Sequence, residues 1–243
     1  MSNTKQEIEA KFYVLDLDKI TTRLQPPPPF GHLPQIRNKV FQKFLSFYSR
    51  IWGRLGGGLI QERVFETNIR FDLPDASLSS DRCLLRLRRD TEARMTYKDP
   101  SQNEQGVLSR TEIEFTVGDF ETARQFLEAL GYQPIFYYEK YRTTYVIQPS
   151  EGLEPSEGSL HIMLDELPFG NFVEIEGETL ESIRAVSDGL GLKWDTAIAA
   201  GYHALFERLC ATRTNLDPAH LTFTALNGLN ISAEELSVHA ADA

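Results

Sequence analysis

The chain has 243 residues, 41% hydrophobic and 25% charged, a composition that fits one soluble globular unit with a sizeable core. A formal net charge of -10 and a pI near 5.1 argue against non-specific nucleic-acid binding. Two cysteines, Cys83 and Cys210, with no C-x-x-C or Cys/His cluster, argue against a disulfide framework or a zinc site and suit a cytoplasmic protein. Residues 1–11 lack the basic start and apolar run of a signal peptide, and no apolar run approaches the ~20 residues needed to span a bilayer.

The first strand is expected over 7–15, where Glu7, Glu9 and Lys11 alternate with Ile8, Ala10 and Phe12. Asp16 is a natural N-cap for a short helix ending near Leu24. Gln25 and the prolines at 26–29 stop it and begin an extended linker. Over 37–55, Val40, Phe41, Phe44, Leu45, Tyr48, Ile51, Trp52 and Leu55 recur at helical spacing. The opposite face carries Lys39, Lys43, Arg50 and Arg54 and no acidic residue. Two readings stand for it: a helix packed on the main domain, or a cationic helix meeting a membrane surface or a partner.

From Leu59 the pattern changes to short alternating runs, with strands predicted near 62–72, 82–90, 93–99, 108–117, 135–148, 158–167 and 171–177. With the first strand they make eight. Helices are expected from Asp119 to Gly131, from about Leu180 to Leu190 with Gly191 as C-cap, and from about Trp194 to Cys210. His203 in the last of these is read as structural or surface, because no second metal-type residue sits at helical spacing from it. The domain is expected over 1–210 with an insertion at 26–58. Residues 211–243 form a loosely attached extension with a frayed end at Asp242.

Charged residues share one parity along these strands. Arg86 and Arg88, Thr96 and Lys98, Arg110 with Glu112 and Glu114, Lys140 and Arg142, and Glu174 and Glu176 sit two apart, and Asp165 keeps register with His161 and Met163. An open sheet with one wet face would also give that alternation. Like charges two apart are costly without opposite charges beside them, however, and eight antiparallel strands can close and turn one face inward. Seven acidic and seven basic residues would then line the interior: Glu7, Glu9, Glu112, Glu114, Asp165, Glu174 and Glu176 against Lys11, Arg86, Arg88, Lys98, Arg110, Lys140 and Arg142. Carboxylates suit hard divalent cations such as Mg²⁺ or Mn²⁺, and guanidinium forks suit phosphate. The pattern is that of a polyphosphate–metal tunnel.

These elements resemble the CYTH domain of the triphosphate tunnel metalloenzyme superfamily. E-x-E-x-K is met by Glu7, Glu9 and Lys11; L-R-L-R by Leu85 to Arg88; T-x-K-x-P by Thr96, Lys98 and Pro100; R-x-E-x-E by Arg110, Glu112 and Glu114; and K-x-R by Lys140 and Arg142. The final acidic strand matches Glu174 and Glu176, preceded by Asp165. Departures are Asp99 where glycine is usual, the insertion at 26–58, and Glu66 to Asp72 where the family often has a Gln/Asp/Tyr version.

The resemblance implies a mainly β, α+β fold, a closed eight-stranded antiparallel β-barrel with surrounding helices, and Mg²⁺- or Mn²⁺-dependent hydrolysis of inorganic triphosphate or a small organic triphosphate such as thiamine triphosphate. A class IV type adenylate cyclase and a non-catalytic polyphosphate or nucleotide binder are the alternatives. By the resemblance, Glu9, Glu114 and Lys11 are the catalytic candidates. Glu7, Glu9, Glu112, Glu114, Asp165, Glu174 and Glu176 are the metal candidates. Lys11, Arg86, Arg88, Lys98, Arg110, Lys140 and Arg142 are the phosphate contacts.

Overall fold

Strand β1 (Thr4–Val14) realises the alternation of its sequence. Ala10, Phe12 and Val14 are buried with Ile20 and Leu24 of helix α1 (Leu17–Leu24), while Glu9 and Lys11 face a cavity on the other side. The computed structural model describes residues 4–25, 57–104, 107–147 and 158–243. The cationic helix expected at 37–55 lies outside the described residues.

Beyond β1 and α1, the described strands are β2 (Gly57–Asp72), β3 (Leu84–Arg89), β4 (Ala93–Lys98), β5 (Gln102–Glu104), β6 (Val107–Val117), β7 (Gln133–Ile147), β8 (Leu160–Leu167), β9 (Gly170–Gly177) and β10 (His220–Leu221). Antiparallel pairing runs β1–β9–β8–β7–β2–β3–β4–β6, and β6 pairs back onto β1. The eight strands form a closed ring, as expected from sequence. Strand β6 makes the closure: residues 107–113 pair with β1, and residues 112–117 pair with β4. Register shifts along β2 at Leu59/Gln61, Gln61/Val64 and Arg70/Phe71 bend this long strand as a ring requires. The turn from β8 to β9 depends on Gly170, whose φ is +144° and where a Cβ would lie 2.7 Å from the Tyr13 ring.

Four further helices follow among the described residues, α2 (Ser77–Ser80), α3 (Phe120–Ala129), α4 (Leu180–Gly189) and α5 (Tyr202–Thr212). Asp16, Asp119 and Thr179 cap α1, α3 and α4 by accepting from Lys19 N, Thr122 N and Ser182 N. Helix α3 covers Leu85 and Leu87 of β3, and α4 joins the α1 side through Ile183 and Val186. Leu205, Phe206 and Leu209 of α5 pack with Phe136, Phe169 and Phe172. Burial of each contributes about 2 kcal/mol.

Two sequence expectations need correction. The helix expected over 194–210 is a 3₁₀ turn (Trp194–Thr196), an irregular stretch and then α5. Ile198 N is committed to Lys11 O at 2.8 Å, which holds the intervening chain on β1 rather than in a helix. The C-terminal residues are also docked, not frayed. Asp242 accepts from Leu15 N at 2.9 Å and Asp16 N at 3.0 Å, Ala241 N donates to Tyr13 O, and Leu236 and Ala241 are fully buried.

Candidate active site

The ring surrounds a cavity of about 1920 Å³. All the candidate residues line it except Glu7 and Asp165. Glu7 stands opposite Arg110 in the β1–β6 register, and its side chain is outside the described set. Asp165 is fully buried behind the wall. Among the described residues, eleven lysines and arginines line the cavity against six glutamates. Adding buried Glu66 and Asp165 still leaves the cations in excess, inside a protein of net charge -10.

The β7–β8–β9 wall is a closed network. Asp165 Oδ1 accepts from Arg142 Nε at 2.6 Å, and Oδ2 accepts from Lys140 Nζ at 2.9 Å, Arg142 Nη2 at 2.5 Å and Tyr202 Oη at 2.7 Å. Glu174 accepts from Arg142 and lies 3.1 Å from Lys11 Nζ. Burial opposes ionisation of Glu174, but Lys11, Arg142 and Lys140 outweigh it and hold its carboxyl well below the usual range. Burial likewise opposes charge on Lys11, which Glu174 and Glu9 nevertheless push up. On the Tyr202 phenol, burial and the charges of Asp165 and Glu174 act together, raising it far enough to stay a donor at neutral pH.

Across the cavity, the β3–β4 wall is less complete. Arg86 donates to Tyr138 Oη and Thr96 Oγ1, each at 3.3 Å, and Thr96 donates to Glu114 Oε2 at 2.7 Å. Glu114 is shared between Arg86 and Arg94, each 3.8 Å away. Arg88 Nε donates to Asn68 Oδ1 at 3.2 Å. Five buried side-chain polar atoms among the described residues have no hydrogen-bond partner. Four are donors: Asn68 Nδ2, Arg70 Nε, Arg86 Nε and Arg94 Nε. The fifth, Glu66 Oε2, still has Lys140 Nζ at 3.4 Å and Arg88 Nε at 3.7 Å. Unmet donors within a cation-rich wall make a surface for an anion.

Sequence parity extends to several participants outside the candidate set. Glu66, Asn68 and Arg70 alternate along β2, and Arg94 precedes Thr96 by two. That spacing could have flagged them. Burial opposes ionisation of Glu66, but Lys140, Arg88 and Arg142 outweigh it and keep its carboxyl far below the ordinary range. Burial of the Tyr138 phenol is likewise outweighed, by Arg86, Lys140 and Arg88, which lower it. Tyr202 and His203 carry no local signal, because α5 reaches the cavity only through the fold. Arg70 Nη1 donates to His203 Nδ1 at 2.9 Å, so this histidine sits on the cavity wall; burial and Arg70 depress its pKa.

The CYTH domain family matches residues 50–189, more than half of the chain. The chain belongs to the CYTH domain family. No curated protein matches it by sequence. Among solved structures, the CYTH fold seen here resembles a candidate adenylate cyclase of Vibrio parahaemolyticus at 19% identity and a TM-score of 0.56, covering 82% of this chain and 95% of that one. It also resembles the PH1012 protein of Pyrococcus horikoshii OT3, at 20% identity, TM-score 0.53 and coverage of 81% and 96%. A conserved protein of Pyrococcus furiosus follows at 20% identity, TM-score 0.51 and coverage of 81% and 97%. At these identities the likeness is one of fold.

Oxygen donors of the kind a hard divalent cation takes are present in this CYTH domain. Glu9 is the cross-strand partner of Glu176, and Glu174 is the next cavity-facing residue on β9. By donor type they suit such an ion. Two of them are also engaged by neighbouring cations: Glu9 lies 3.9 Å from Lys11 and 4.0 Å from Arg110, and Glu174 meets Lys11 and Arg142. Among the described residues no three acidic, histidine or cysteine side chains converge on one position.

Proposed function

We propose that this CYTH domain hydrolyses inorganic triphosphate or a small organic triphosphate such as thiamine triphosphate. The observation that carries this reading is the cation excess of the cavity, with unpartnered arginine donors on one wall, in an acidic protein. Such a cavity recruits a polyanion and fixes it by charge-assisted hydrogen bonds. Members of the family act on small triphosphates, which agrees.

In this reading Arg86, Arg88 and Arg94 take the phosphate oxygens from one side, and Lys11, Lys140 and Arg142 take them from the other. Lys98 and Arg110 extend the cationic surface. Holding the chain from both sides fixes the terminal phosphorus for attack by water and stabilises charge on the departing oxygen. Glu9, Glu174 and Glu176, with Glu112 and Glu114, would hold a divalent cation, Mg²⁺ or Mn²⁺. When bound, that ion supplies Lewis-acid polarisation of the phosphate oxygens. Glu114, kept ionised because its bond from Thr96 and the nearby Arg86 outweigh burial, is the proposed acceptor of the proton from water. The proposed protein acts in the cytoplasm.

The test is incubation with triphosphate, thiamine triphosphate and ATP, each with Mg²⁺ or Mn²⁺, with phosphate, pyrophosphate and cyclic AMP measured. Phosphate release from the first or second substrate is expected. Cyclic AMP with pyrophosphate from ATP would replace the hydrolase reading by a cyclase. Tight binding of all three without turnover would leave a binding module.

A further inference from the structure

Tyr202, the first residue of α5, touches two of the cations assigned above to phosphate and reaches a third, Arg142, through Asp165. Its ring centroid is 4.5 Å from Lys11 Nζ and 5.5 Å from Lys140 Nζ. Its hydroxyl donates to Asp165 Oδ2 at 2.7 Å, the oxygen that also receives Lys140 and Arg142. The chain leading to it grips the same place: Ile198 N donates to Lys11 O at 2.8 Å, and Lys11 Nζ donates to Ala200 O at 3.3 Å.

Asp165 takes four donor contacts, three of them on Oδ2, and is fully buried, so it is shut off from an incoming group. It acts through its partners. Lysine is a point charge on a flexible stem, and its position must be set from outside. Lys11 and Lys140 come from different strands, yet one aromatic face serves both. The Tyr202 ring is in turn held against Phe172 at 5.2 Å, and against Phe169 and Tyr138 at 6.4 Å each. A support that is itself packed can fix what it touches.

We infer that Tyr202, with Asp165 beneath it, is a positioning residue that sets where Lys11, Lys140 and Arg142 present their charge to the substrate. This role rests on the triphosphate reading. Helix α5 is thereby part of the site's machinery as well as the cover on one end of the core.

Two variants of the full chain test it, Tyr202→Phe, which keeps the ring and loses the hydroxyl, and Tyr202→Leu, which loses both. KM and kcat are measured for inorganic triphosphate. Separately, without substrate, the acylation rates of Lys11 and Lys140 by an N-hydroxysuccinimide acetate are read by mass spectrometry. We expect KM to rise several-fold in Tyr202→Phe and by about tenfold or more in Tyr202→Leu. Both lysines should acylate faster, most of all in Tyr202→Leu. A fall in melting temperature with KM, kcat and lysine acylation all unchanged would overturn the inference, because a purely structural tyrosine would do only that. Should Tyr202→Leu not fold, Tyr202→Phe decides by the same readouts. If the wild-type chain turns over no triphosphate, the functional reading fails while lysine acylation still decides whether Tyr202 positions the cations.

Discussion

The two sides of the cavity use arginine differently. On the β7–β8–β9 side, Arg142 meets both Asp165 and Glu174, and Lys140 meets Asp165 and Glu66. On the β3–β4 side, Arg86 and Arg94 share Glu114 at 3.8 Å, Arg94 also meets Asp90, and the Nε groups of both arginines make no hydrogen bond. Breaking a saturated buried network leaves stranded charge, so the first side is expected to govern folding. An arginine with spare donors gains a partner when an anion arrives, so the second is expected to govern affinity. The first wall thus combines phosphate contact with cohesion, and the spare donor capacity lies on the second.

The largest effect that could break this contrast is in Asp165→Asn. Removing that charge takes the shared acceptor from Lys140 and Arg142 and leaves them only Glu66 and Glu174, and a loss of about 3–5 kcal/mol is expected in urea unfolding. A loss below 1 kcal/mol would mean that the network is not cohesive.

Next in size are Arg86→Gln and Arg94→Gln. Each should weaken binding of inorganic triphosphate by roughly ten- to a hundredfold, the worth of a charged hydrogen bond, with a smaller loss of stability than Asp165→Asn. Equal losses of stability in these variants and in Asp165→Asn would erase the distinction between the walls.

A third effect appears only in acid. The folded pKa of Glu66 lies below its unfolded value of about 4.5, so the carboxylate stabilises the fold above that pH and ceases to do so as the pH falls. The stability gap between wild type and Glu66→Gln, measured by urea titration, should therefore be widest near neutrality and shrink below pH 4.5. A gap independent of pH would contradict the assignment of charge to Glu66.

The smallest effect lies outside both walls. Thr179→Ala removes the α4 cap, where the hydroxyl accepts from Ser182 N at 3.2 Å. About 1 kcal/mol of stability should be lost by thermal melting, with triphosphate affinity unchanged.

Much of the ring was legible because strand parity is a local property. Glu9 and Lys11, Arg86 and Arg88, and Glu174 and Glu176 announce an inward charged face by spacing alone. Closure of the ring also followed, since eight such strands need somewhere to hide their charged side, but the strand that makes it, β6, did not. What spacing could not supply was the contribution of distant chain. Tyr202 meets Lys11 although 191 positions separate them in sequence, and Ile198, Tyr202, Leu205 and Leu209 read as one helical stripe when the chain actually breaks at Gly201. The end of the chain was misread for the same reason. A charged Asp242 among alanines suggests fraying, but it caps free backbone groups at Leu15 and Asp16. Asp165 shows the limit of parity within a strand: it shares register with His161 and Met163, yet its oxygens are spoken for behind the wall.

The most direct test of the division between walls is calorimetric titration of inorganic triphosphate into the wild-type chain and into the double variant Arg86→Gln/Arg94→Gln. Binding at one site in the wild type is expected, weakened by at least about a hundredfold in the double variant, which stays folded at the titration temperature. Equal affinity in the two proteins would contradict the assignment of the β3–β4 wall as the anion-receiving surface.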